Sequence, residues 1–208
     1  MEILTIPVTP VQQNCRILTN DKEAIVIDPG GDVDKILNMI SQRNLTLVEI
    51  WLTHSHFDHC GGVGKLIEKF PNINLVAHPI EKEFRKFAHQ IATQWGIFDV
   101  VECPEPTKEI EDDAQMEVFG REVKVLFTPG HSPGHLVFYF PEDGFAISGD
   151  TVFQGSIGRT DLPGADYKVF MQSIRTKILT LPDEVRLLPG HGPDTTVGRE
   201  KITNPFLI

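Results

Sequence analysis

At 208 residues, with 40% hydrophobic and 23% charged side chains, the chain has an ordinary globular composition, long enough for one sizeable core or two small halves packed together. A formal net charge of -10 disfavours nucleic acid and anionic membrane as partners, because phosphate contact needs clustered Lys and Arg. Cys15, Cys60 and Cys103 are too few and too scattered for a disulfide framework, and no signal peptide or bilayer-length apolar run is visible, so a cytoplasmic protein is expected.

Three strand-like runs open the chain: Ile3 to Val8, Cys15 to Thr19 and Ala24 to Asp28, with an Asn20-Asp21 turn between the last two. Asp28-Pro29-Gly30-Gly31-Asp32 is a dense loop signal. Val33, Ile36, Leu37 and Ile40 then recur at helical spacing, with Asp32 placed to cap the helix. Leu47 to Leu52 reads as a strand, His59 to Phe70 as a helix stopped by Pro71, and Asn74 to Ala77 as a short strand. Residues 80 to 95 predict an amphipathic helix with Phe84, Phe87, Ala88, Ile91 and Trp95 along one face; Phe84, Phe87 and Trp95 are expected to serve as core or cover packing, the alternative being that they wall a substrate pocket.

Pro104 to Asp113 is acidic and proline-bearing, a connecting loop between two β/α halves of a single domain, about 1–103 and 114–208. Beyond it, Met116 to Phe119 and Glu122 to Phe127 flank Gly120 as a hairpin. Leu136 to Phe140 and Phe145 to Ser148 flank Glu142-Asp143-Gly144 as another. A helix from Tyr167 to Leu179, a strand from Val185 to Leu188 and a short helix near Gly198 to Thr203 close the chain. Each half carries strands first and helices later, so two mostly β halves would stack sheet on sheet with helices outside.

The chemistry concentrates in Thr53-His54-Ser55-His56-Phe57-Asp58-His59-Cys60-Gly61-Gly62, directly after an apolar strand end. Imidazole and carboxylate suit zinc and other borderline divalent ions. So many ligands on so short a loop cannot all reach one ion without strain, and the spacing points to two neighbouring metals. His131, Asp150 and His191 follow apolar β runs in the second half and each lies beside glycine, where the backbone turns sharply. A lone histidine in such a place is usually structural. Several loops ending alike beside a histidine-rich segment are not explained that way.

The His54-x-His56-x-Asp58-His59 loop with His131, Asp150 and His191 resembles the metallo-β-lactamase superfamily. Gly149-Asp150-Thr151-Val152-Phe153 and Gly158-Arg159-Thr160-Asp161 look like the glyoxalase II-like hydrolases, and Pro189-Gly190-His191-Gly192-Pro193 resembles their short, single-domain bacterial type. The resemblance covers nearly the whole chain and implies an α/β (α+β) fold, a four-layer αββα sandwich. It implies that His54, His56 and His131 hold one divalent ion and Asp58, His59 and His191 another, with Asp150 bridging. Zinc is the default metal, and iron or manganese is also admitted. The implied reaction is hydrolysis of a thioester such as S-lactoylglutathione, by a hydroxide held between two ions that Asp58 orients. A metal pair about 3.5–4 Å apart can be spanned by one carboxylate, and one zinc alone brings the pKa of water from about 15.7 to about 7.

Arg159 is placed by the same pattern to meet a substrate carboxylate, although a solvated loop arginine would look alike. His135 is either a partner that orients the ligands or a core histidine. Cys60 sits where a thiol pKa can fall, but packing accounts for it, since the ligand count is complete without it. Gly130-His131-Ser132-Pro133-Gly134 matches the nucleophile elbow only formally, because a strand rather than a helix follows. The competing reading is a mononuclear-iron persulfide dioxygenase. Another hydrolase of the superfamily (a lactonase or a nuclease) and an inactive metal-binding module rank below it.

Overall fold

The computed structural model describes residues 1–208, which divide into two compact units, Met1–Ile110 and Glu111–Ile208. In the first, β1 (Glu2–Val8), β2 (Gln13–Thr19) and β3 (Glu23–Ile27) form an antiparallel meander. From β3 onward the sheet turns parallel through β4 (Thr46–Trp51), β5 (Asn74–Ala77) and β6 (Lys108–Glu109), in the order β1-β2-β3-β4-β5-β6. Parallel neighbours need crossovers. The helices α1 (Val33–Gln42), α2 (Phe57–Cys60), α3 (Val63–Lys69) and α4 (Lys82–Gln94) lie in those connections. The expected arrangement of strands first and helices later is thus corrected for this half: strand and helix alternate after β3.

Buried Val33, Ile36 and Ile40 of α1 join Ile17, Val26, Ile50, Leu52, Val63 and Leu66 in one core. Asp32 stands at the start of α1 but does not cap it. Its backbone is left-handed at φ 46°, and its carboxylate accepts instead from the Thr9 N–H at 3.0 Å and from Lys35. The helix read from His59 to Phe70 is two helices, broken at Gly61-Gly62, where the backbone runs against the β3–α1 loop.

The second unit has the sheet order β14-β13-β10-β9-β8-β7. Its strands are β7 (Gln115–Val118), β8 (Arg121–Phe127), β9 (Leu136–Phe140), β10 (Phe145–Gly149), β13 (Arg186–Pro189) and β14 (Thr195–Thr196), while β11 (Val152–Phe153) and β12 (Ser156–Ile157) make a separate ribbon. The β7–β8 turn has positive φ at Phe119 and Gly120, as a tight hairpin requires. Every residue of β9 and β10 is buried. β10 and β13 are parallel, and α5 (Tyr167–Ser173), capped by Asp166, with its π-helical continuation Ile174–Ile178, lies in their crossover. The last helix, α6 (Val197–Thr203), follows β14. No helix is long and apolar enough to cross a membrane.

Candidate metal centre

In the first unit the site is built at the carboxyl ends of the adjacent parallel strands β3 and β4, where Ile27 pairs with Trp51. Asp28 follows β3 directly and Thr53-His54 follows β4, so the two segments leave the sheet side by side. Asp28 is 2% exposed and its carboxylate gathers three donors. Oδ1 accepts from the Thr53 N–H at 2.8 Å, and Oδ2 accepts from Thr53 Oγ1 at 2.7 Å and from His59 Nδ1 at 2.9 Å.

These contacts fix two tautomers. Because the Thr53 hydroxyl gives its hydrogen to Asp28, it can only accept from His54 Nδ1, 3.1 Å away. His54 therefore carries its proton on Nδ1 and presents the Nε2 lone pair. His59, donating from Nδ1 to Asp28, does the same, and the Gln13 amide at 3.5 Å is too distant to compete. His54 Nε2 lies 3.1 Å from His56 Nδ1, the His54 and His59 ring centroids are 4.0 Å apart, and His59 Nε2 lies 3.9 Å from Asp58 Oδ2. Two nitrogens facing at such a distance, one of them a lone pair, suit a shared cation.

The second unit brings His131, Asp150 and His191 together. Asp150 Oδ2 is 3.6 Å from His131 Nε2 and 3.7 Å from His191 Nε2. The Gly190 N–H donates to the Gly149 carbonyl at 2.9 Å, tying the loop after β13 to the loop after β10. His131 donates from Nδ1 to the Arg159 carbonyl at 2.8 Å, since a carbonyl only accepts, so it too presents Nε2. Gly158 allows this approach: a Cβ there would stand 2.0 Å from the Asp150 carbonyl oxygen and 3.1 Å from His131 Nδ1.

His135, fully buried, has the same tautomer, but its Nε2 lone pair is already taken by a protein donor. Its Nε2 accepts the Asp150 N–H at 3.0 Å, and its Nδ1 faces Thr128 Oγ1 at 2.9 Å. It acts on the backbone of Asp150 rather than on a ligand imidazole. Arg159 sends its guanidinium bidentately to Asp161 at 2.7 Å for each bond, which holds the Asp161 carboxyl down at about 2. Its carbonyl, not its charge, touches a ligand.

Cys60 is not an acidic thiol. A hydrogen bond with Cys103 and burial raise its pKa, and its Sγ donates to the Ser55 carbonyl. The packing role expected of Phe87 and Trp95 is corrected too, since both are exposed. Two residues outside the expected set hold the histidine loop. They are Asp28 and Glu81, whose buried carboxylate accepts the Ser55 N–H at 2.9 Å. Asp28-Pro29-Gly30-Gly31 directly after an apolar strand was the available signal for the first. Glu81 had none.

The donor set thus fits divalent cations: neutral imidazoles with assigned lone pairs, carboxylates, and anchored second nitrogens. A profile of the metallo-β-lactamase superfamily matches residues 8–191. The hydroxyacylglutathione hydrolase GloC of Haemophilus influenzae is 37% identical over 209 residues, spanning 100% of this chain and 98% of its own. Among solved structures, the BLEG-1 B3 metallo-β-lactamase superposes with a TM-score of 0.91 at 36% identity over 99% of both chains. TTHA1623 in a di-iron-bound form gives 0.90 at 40% identity over 98% of this chain and 100% of that one. The chain belongs to the metallo-β-lactamase superfamily and has its mixed α/β fold. Its class is that of the metal-dependent, hydrolase-like enzymes of that superfamily.

Proposed function

We propose that the protein is a dinuclear thioester hydrolase of the glyoxalase II kind, with His54, His56 and His131 on one divalent ion, Asp58, His59 and His191 on the second, and Asp150 shared. The observation that carries the reading is the tautomer pattern: Nδ1 of His54, His59 and His131 is held by Thr53, Asp28 and the Arg159 carbonyl, leaving each Nε2 lone pair as a ligand atom. The likeness to a hydroxyacylglutathione hydrolase over the full chain supports the substrate class. Bound there, divalent ions supply acidified water and polarise the thioester carbonyl. Asp58, partly exposed beside His59, would orient the attacking water and take its proton. Asp28 and His135 keep the ligands from turning. Arg159 would meet a substrate carboxylate by giving up Asp161.

The test is elemental analysis of protein made in defined medium, paired with two assays. Two metal equivalents per chain and oxygen-independent thiol release from S-lactoylglutathione are expected. One equivalent of iron with oxygen uptake on glutathione persulfide would replace this reading by the dioxygenase. Turnover of a β-lactam without thioester cleavage would move it toward the activity named for BLEG-1.

Asp28→Asn should separate holding from ligation. The amide can present one oxygen only, and its NH2 confronts either the Thr53 N–H or the Thr53 hydroxyl together with His59 Nδ1–H. Metal affinity in a chelator competition should fall about 10- to 100-fold. Stability in urea should drop by about 1–3 kcal/mol, the cost of leaving a buried donor unmet.

A further inference from the structure

One surface of the first unit, along α4, is apolar and open to solvent. Phe84, Phe87, Ile91 and Trp95 recur every three or four residues along α4 and its C-terminal end and so share one face, with Ile80 in the turn before it, while Arg85, Ala88 and Ala92 fill the buried face. That outer stripe lies open: Ile80 is 53% exposed, Phe87 38%, Ile91 37% and Trp95 57%. A contiguous apolar patch on a folded surface usually marks a binding site. This one joins the ligand loop, with the Phe84 ring 5.8 Å from the His56 ring and the Trp95 ring 6.0 Å from Phe57.

We propose that the exposed face of α4 binds an extended apolar acyl group, making alkanoyl or arylacyl thioesters better substrates than short hydroxyacyl ones. The proposal rests on the thioester-hydrolase reading and narrows its substrate class. An acyl carbon attacked beside His56 has its substituent next to Phe84. From Phe84 to Trp95 the helix rises about 16 Å, room for a medium-length alkyl chain laid along it. A lactoyl group is too short to reach Ile91 or Trp95, and its hydroxyl gains nothing from hydrocarbon. Lys86, whose Nζ sits 5.3 Å from the Phe87 ring centroid, borders the stripe and suits an anionic thiol carrier.

Trp95 itself reports on this face, because Trp51 is fully buried. With holo protein, the thioethers S-octylglutathione and S-methylglutathione, which cannot be hydrolysed, are titrated while Trp emission is followed. The octyl compound should shift the emission to the blue and bind about tenfold tighter. The Phe87→Ser/Ile91→Ser pair should remove that difference. In turnover, kcat/KM should rise about tenfold from acetyl- to octanoyl-glutathione, and the pair should flatten the ratio. Equal affinities, or an unmoved Trp95, overturn the proposal. So does a dimer in light scattering that the pair converts to monomer, since the face would then bind a second copy. Chain-length-dependent binding without any thioester turnover would refute the hydrolase reading and keep the ligand face. Turnover indifferent to chain length would refute the face and keep the hydrolase.

Discussion

Asp150→Ala is expected to reduce bound metal from two equivalents per chain to one or fewer, and to lower kcat/KM for a thioester about 10³-fold. The carboxylate is 7% exposed and its Oδ2 lies within 3.7 Å of both His131 Nε2 and His191 Nε2, imidazoles assigned to different ions. Alanine therefore takes a ligand from each metal at once, and a thousandfold loss corresponds to about 4 kcal/mol of transition-state stabilisation. The apo fold should survive, because the hydrogen bond that anchors this residue runs from its backbone N–H to His135 and remains available to alanine. Asp150→Asn keeps the shape with one neutral oxygen, and should retain more metal than alanine with little more activity. Metal analysis, circular dichroism of the apo protein and steady-state kinetics check the three parts. Two equivalents of metal with unchanged turnover in the alanine variant would remove the shared-carboxylate assignment.

The ligand residues were legible in the sequence because ligand chemistry is a property of residue type and local spacing. His54, His56, Asp58 and His59 sit on one short segment, and His131, Asp150 and His191 each end an apolar strand beside glycine. What holds them was legible only as a loop signal around Asp28, without its partners. Asp28 reaches His59 only because β3 and β4 are parallel neighbours in one register, and a spacing of 31 residues carries no sign of that. Glu81 reaches Ser55 from a 3-10 turn that no periodicity announces. The apolar period of α4 groups Phe84, Phe87, Ile91 and Trp95 but wrongly adds the buried Ala88, and it does not distinguish a packed face from an exposed one, as Phe87 and Trp95 are. The two-residue strands β6, β11, β12 and β14 are too short to leave an alternation pattern. Arg159 shows a different limit: its type suggested an anion site, while its backbone carbonyl makes the contact with His131.

Gly30→Ala should be among the most damaging single-methyl changes in the first unit, whereas Gly31→Ala next to it should be mild. A Cβ on Gly30 would stand 1.4 Å from the Asp58 carbonyl oxygen and 2.3 Å from its carbonyl carbon. Both are backbone atoms, so no rotamer relieves the overlap, and the loops must part by about 2 Å to reach ordinary contact. That movement pulls α2 away from the β3–α1 loop. It strains the Gly62 N–H bond to the Pro29 carbonyl, now 2.7 Å, and the Asp28–His59 contact at 2.9 Å. A loss of about 3 kcal/mol is expected, which lowers Tm by about 6–12 °C for a chain of this size. Metal affinity should fall along with it, because Asp58 and His59 ride on the displaced segment. At Gly31 the added carbon meets only Thr9 Cγ2, at 2.9 Å, a side-chain methyl that can swing aside. There the loss should stay below about 1 kcal/mol with metal binding intact. Thermal melts of the two apo variants, followed by chelator competition, make the comparison. Equal effects at the two glycines would mean that the ligand loop does not depend on the close approach at Asp58, and that its geometry is set by the Asp28 and Glu81 hydrogen bonds alone.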